Sequence, residues 1–190
     1  AKRDFGPRLG YADLKGDLLD GSAEPGKLRI FGCQVKLDLS NASSLEIAGE
    51  ATSEKFDFKD AGDPSQLIHG KAKWDDLALY ASLHFDLLSL GPIALYAGGG
   101  GGLHFSQVDV IEAAAQNGNR SASTLDTIDD WLAKAEKDRS DVEWHGLGGA
   151  SFQLGSSAIS LFGEGRYRDI TGDHGLQGWA GYAGFNLRLD

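Results

Sequence analysis

A two-residue hydrophobic period recurs from end to end of this chain and limits what it can fold into. In Phe31-Gly32-Cys33-Gln34-Val35-Lys36-Leu37-Asp38-Leu39 every odd position is apolar and every even position is glycine, polar or charged. Successive side chains of a β-strand point to opposite faces, so this period belongs to a strand with one apolar and one polar face. It recurs over eight segments, 4–13, 28–39, 44–55, 76–88, 92–106, 142–154, 158–169 and 178–189. Short connections (Ser40–Ser43, Ser89–Gly91, Gly155–Ser157) alternate with long ones (14–27, 56–75, 107–141, 170–177), and the short ones carry ordinary turn residues. Strands joined in this way predict an all-β fold, an eight-stranded antiparallel up-and-down β-barrel occupying residues 1–190 as one domain. Short turns gather at one end and long loops at the other.

Composition removes several classes of function. Asp and Glu outnumber Lys and Arg, 28 to 18, which excludes a nucleic-acid partner. The single cysteine, Cys33, cannot form an internal disulfide or a paired-cysteine metal site. Methionine is absent, so processing is expected, with Ala1 a candidate new N-terminus. The uncharged run Leu87–Leu103 contains Pro92 and five consecutive glycines and does not suit a membrane helix. A membrane barrel would show lipid only alternate residues and leaves no such run.

The third long connection is expected to carry a short amphipathic helix over 124–137. Leu125, Ile128, Trp131 and Leu132 share one helical face there and form a candidate partner surface.

Alternation alone does not say which face points out. A lipocalin-like soluble barrel would turn the apolar face inward to bind a hydrophobic small molecule, and a membrane barrel would turn it outward. Two observations favour the second. The polar face has nearly balanced charge in a strongly acidic chain, with Arg8, Lys36, Arg166 and Arg168 set against Glu46, Glu50, Glu143 and Glu164. A narrow, water-poor interior must pair its charges, and an eight-stranded barrel is only wide enough for its own side chains. Aromatic residues of the apolar face also fall into two groups. Tyr11, Phe31, Phe105, Trp144, Tyr167 and Trp179 lie toward the long loops, and Phe5, Phe85, Phe152 and Phe185 toward the short turns. Two such rings mark the interfaces of a membrane barrel. Between them the apolar face is thin. A belt including Gly99, Gly146, Gly165 and Gly181 could meet lipid, line a ligand cavity, or permit close approach of another protein.

Leu45–Glu50, Ala97–Leu103, Leu161–Arg168 and Gly181–Leu187 resemble the OmpA-like eight-stranded outer-membrane barrels. The resemblance covers essentially the whole chain. It implies an interior of charged pairs that includes Glu46, Glu50, Glu164, Arg166 and Arg168. It implies no chemistry. The expectation is a non-enzymatic barrel of the bacterial outer membrane, with structural or adhesive work done by its long loops and with membrane lipid, or a protein at the loops, as partner. The chain closes on Leu187-Arg188-Leu189-Asp190 where such barrels usually end on an aromatic residue. This keeps open a secreted barrel that self-assembles with copies of itself.

No cofactor, metal or catalytic residue is expected. The glycine run lacks the following Lys-Ser or Lys-Thr of a phosphate loop. His104 and His145 are expected to line the barrel rather than hold a metal, and no serine and histidine set stands out as a nucleophile with its base. The acidic loop residues match no EF-hand spacing.

Overall fold

The computed structural model describes residues 3–16, 26–60, 68–115, 138–172 and 175–189. They form eight strands: β1 (Arg3–Lys15), β2 (Gly26–Asp38), β3 (Ser43–Asp60), β4 (Ile68–Leu90), β5 (Ile93–Ala115), β6 (Asp138–Gln153), β7 (Ile159–Thr171) and β8 (Leu176–Leu189). Each pairs antiparallel with its neighbours in sequence, and β8 returns to β1 to close the barrel. Closure removes the unpaired edges that an open sheet would expose. Two short turns reverse the chain on a glycine in the left-handed region, Gly91 (φ 59°) and Gly155 (φ 58°), a conformation that costs glycine little. The expected helix over 124–137, with Leu125, Ile128, Trp131 and Leu132, lies outside the described residues.

The ladder fixes how the barrel is wound. From Phe5 it passes through Val35, Ile47, Ala81, Gly101, Trp144, Asp169 and Gln177, and returns to β1 at Lys15, ten residues further along. That stagger, with a rise of about 3.3 Å per residue and strands about 4.8 Å apart, tilts the strands by roughly 40°.

The apolar face of the periodic segments points outward. Leu9, Phe31, Ile47, Leu79, Leu83, Leu103 and Leu161 are all exposed, and Arg8, Glu46, Glu50, Glu143, Glu164, Arg166 and Arg168 are all buried. This corrects the soluble-barrel alternative, in which the apolar face would have lined a cavity. Hydrophobic side chains on that scale do not stay in water without a covering phase.

Strands β3 to β6 run further than expected, into 56–60, 68–75, 107–115 and 138–141, which read as loop in the sequence. The period of two persists there with its polarity exchanged. Ala72, Trp74 and Val108 point inward and are buried, and Lys71 and Gln107 point outward. Leu14, Leu28, Ile170 and Leu176 join them in one buried apolar cluster, behind outward Asp13, Lys15, Lys27, Arg29 and Asp169. The long-loop end of the lumen is therefore apolar, not charged as the sequence reading implied for the whole interior.

Candidate functional site

The lumen has three levels, each set by which inward positions the tilt brings to one height. At the short-turn end is an open polar vestibule of about 690 Å³, lined by residues that include Asp4, Lys36, Asp38, Asp86 and Arg188. A charged network fills the middle. The apolar cluster around Trp74 closes the long-loop end.

Arg8, on β1, donates from Nη1 to Glu46 Oε1 (2.9 Å) and Gln34 Oε1 (3.2 Å), and from Nη2 to Glu50 Oε1. Arg166, on β7, donates from Nη2 to Glu164 Oε1 (2.7 Å) and Glu46 Oε1 (3.2 Å). Arg168, two residues on, donates from Nε to Glu143 Oε2 (2.7 Å), from Nη1 to the Tyr182 hydroxyl (3.0 Å) and from Nη2 to the Tyr80 hydroxyl. Tyr80 and Tyr182 in turn donate to Glu50 Oε2, at 3.0 and 3.2 Å. Their rings also face guanidinium groups, with Arg8 4.6 Å from the Tyr182 centroid and Arg168 5.2 Å from that of Tyr80. Cation–π contact gains strength where water is excluded. Three arginines thus meet four glutamates in a space shut off from solvent, and a charge left alone there would cost several kcal/mol.

Seven of the eight anticipated interior charges meet in this network. Lys36 does not join it. Its Nζ lies 4.8 Å over the Tyr96 ring, beside the vestibule. The sequence reading missed the tyrosines, whose inward parity was its only available signal.

A second chain of hydrogen bonds joins the arginine network at Glu143. His104 Nδ1 is 2.8 Å from Asp76 Oδ2, and its Nε2 is 2.8 Å from Glu143 Oε2. Glu143 Oε1 is 2.8 Å from His145 Nδ1, and His145 Nε2 is 2.8 Å from Ser82 Oγ. Ser82, His145 and Glu143 therefore have the connectivity of a nucleophile, a base and the carboxylate that orients it. The serine is buried inside the barrel, 1% exposed. Shared inward parity could have grouped these residues in the sequence. Their heights could not be read there.

On the outside, all ten anticipated ring aromatics are exposed. The ladder and tilt place the two groups roughly 15–20 Å apart along the barrel axis. Among the described residues, no charged side chain lies on the outer face between them. Above the long-loop ring stand Asp13, Lys27, Arg29 and Asp169. On β5–β8 the band between the rings is nearly free of side chains. A Cβ added at Gly146, Gly148, Gly163, Gly165 or Gly181 would meet nothing closer than 3.8 Å, so packing within the barrel does not require glycine at these positions.

No protein-family model and no curated protein sequence matches the chain. Solved structures do. It superposes on Ail, the attachment invasion locus protein of Yersinia pestis, with a TM-score of 0.55 at 13% identity over 100% of both chains. OprG, an outer membrane protein of Pseudomonas aeruginosa, gives 0.57 at 12% identity over 100% of this chain and 96% of that one. Neisserial surface protein A gives 0.56 at 15% identity over 98% and 97%. The fold is that of the eight-stranded outer-membrane β-barrels. At these identities the likeness concerns how this barrel is built and leaves its loops and lumen to be read from their own residues.

Proposed function

We propose that this chain is a bacterial outer-membrane β-barrel, non-enzymatic, with a plugged lumen and a structural or adhesive role carried by its long-loop rim. One observation carries the reading: the exchange of polarity along single strands at the level of Tyr11, Phe31, Trp144, Tyr167 and Trp179. Below that ring apolar residues face out and charges face in. Above it, on the same strands, charges face out and apolar residues face in. A barrel standing wholly in water would keep one polarity throughout. A barrel half in lipid must change polarity where lipid ends. Membrane lipid is then the partner of the lower band. The upper wall, on which β4 and β5 each run 23 residues, stands clear of the membrane and presents the loops to a protein partner. Ail, an attachment protein by its name, has the same overall build.

A second reading, self-assembly into an extracellular polymer, is favoured by the side-chain-free band over β5–β8, which lets another surface approach closely. Cys33 separates the two. It is exposed on the outer face, paired across the sheet with Pro7 and Gly49, between the two rings. In native membranes a lipid-soluble maleimide is expected to label Cys33, and a charged, water-soluble maleimide is not. In a polymer neither reacts until the assembly is dissociated. Rapid labelling of the intact native protein by the charged probe places this band in open water and refutes both readings.

A further inference from the structure

We infer that the lower lumen contains a binding site for one divalent transition-metal ion, formed by Glu46, His84 and Glu164 and reached from the vestibule at the short-turn end. The three residues come from β3, β4 and β7, all with inward parity. One ligand atom of each lies within 4.8 Å of the other two, and all three residues are buried.

His84 is what marks this cluster as more than another ion pair. It is 1% exposed, and neither ring nitrogen has a hydrogen-bond partner. Buried polar groups are normally satisfied, and one that is not calls for a missing partner. Among the described residues, the other two lumenal histidines obey the rule. His104 has Asp76 and Glu143 on its two nitrogens, and His145 has Glu143 and Ser82. His84 Nε2 instead stops 3.5 Å from Glu46 Oε2, beyond ordinary hydrogen-bond length. Its ring is held in place by stacking on Tyr96, with centroids 5.1 Å apart.

Glu46 is oriented as metal ligands are, by outer partners on its other oxygen, and both oxygens of Glu164 are fixed by one outer residue each, with a lone pair left on Oε2. Glu46 Oε1 accepts from Arg8 and Arg166, which leaves Oε2 toward His84. Glu164 Oε1 accepts from Arg166, and its Oε2 accepts from the Tyr96 hydroxyl at 3.2 Å. The network has one more glutamate than arginine, so a cation at this place offsets its residual negative charge. Arg8 and Arg166 stand close enough to hold the affinity to a moderate level. One imidazole and two carboxylates suit zinc, manganese, iron(II) or cobalt(II). Calcium and magnesium prefer oxygen ligands throughout. The approach is at hand: Ser44, the cross-strand partner of His84, lines the vestibule, whose charged lining sets three carboxylates, Asp4, Asp38 and Asp86, against two cations, Lys36 and Arg188. Water from the vestibule completes the coordination.

The test is a Co²⁺ titration of the full chain, folded in detergent micelles and stripped of metal by a chelator. One equivalent is expected to bind, with the visible bands of nitrogen and oxygen ligation, no thiolate charge-transfer band and displacement by Zn²⁺. His84→Ala is expected to weaken binding at least 100-fold and Glu164→Gln at least 10-fold. The double variant His69→Ala/His174→Ala, which keeps all three proposed ligands, is expected to bind as wild type does. Each stripped variant is first checked for the folded barrel by circular dichroism and by mobility on unboiled gels. Should His84→Ala not fold, protection of His84 from diethyl pyrocarbonate by Co²⁺ in the wild-type protein gives the same answer. Absence of saturable binding, affinity unchanged in His84→Ala, or labelling of His84 unaffected by the metal each overturns the site and leaves His84 as a ring stacked on Tyr96.

Discussion

Replacing Glu143 by Gln isolates the electrostatics of the lumen, because the two side chains share a shape and differ in charge. Glu143 is fully buried and accepts from Arg168 at 2.7 Å and from both His104 and His145 at 2.8 Å. In the variant the Arg168 guanidinium keeps its charge in a buried site and loses its nearest anion. The new amide NH₂ also turns one acceptor into a donor facing a donor. Breaking a buried ion pair from one side costs about 3–5 kcal/mol, because the stranded charge stays desolvated. The control is Asp75→Asn. Asp75 is 2.6 Å from Lys73, and both side chains are more than a third exposed, so solvent screening limits the loss to under about 1 kcal/mol. Urea unfolding of the barrel in lipid vesicles, followed by tryptophan fluorescence, reads both. Glu143→Gln is expected to show a lower midpoint at an unchanged slope. A loss below about 1 kcal/mol for Glu143→Gln would refute this expectation, since Glu50 Oε2, 3.5 Å from Arg168 Nη1, or water in the lumen would then compensate the guanidinium.

Two further predictions follow from the faces of the barrel. Ile47→Arg puts a guanidinium on the outer face between the rings, and is expected to cost about 2–4 kcal/mol of folding free energy in a bilayer. Leu39→Arg, next to the first short turn, is expected to cost about 0–1 kcal/mol by the same measure, and equal costs would show that the band does not meet lipid. Gly100→Ala, whose Cβ would lie 2.7 Å from Ser82 Cα, is expected to lower stability by about 1–3 kcal/mol through overpacking, whereas Gly146→Ala and Gly181→Ala add a methyl to open space and should be nearly neutral in the same unfolding assay. A reversed order would mean that the glycines of the β5–β8 band are needed inside this chain.

A strand's own sequence gives parity, since alternation requires nothing beyond a pleated backbone. Parity, with the alternation of short and long connections, was enough for the number of strands, their order and the closed barrel. Near-equal charge on one face and aromatic clustering on the other also pointed to the correct outside. Parity carries no height. Height depends on the ten-residue stagger with which β8 meets β1, a property of closure that no single segment contains. For that reason the structure alone decided that Arg8 meets Glu46 and Glu50, that Glu143 joins His104 to His145, and that Lys36 stands apart over Tyr96. It alone placed an unpartnered His84 beside two carboxylates. The long-loop wall escaped the sequence reading for a related reason. Past the aromatic ring the alternation keeps its period but exchanges its faces, so Ala72-Lys73-Trp74-Asp75 read as loop beside strands of the opposite phase. On the proposed membrane reading, what changes there is the solvent outside the barrel, from lipid to water, and no local rule of the sequence states where along the axis that change occurs.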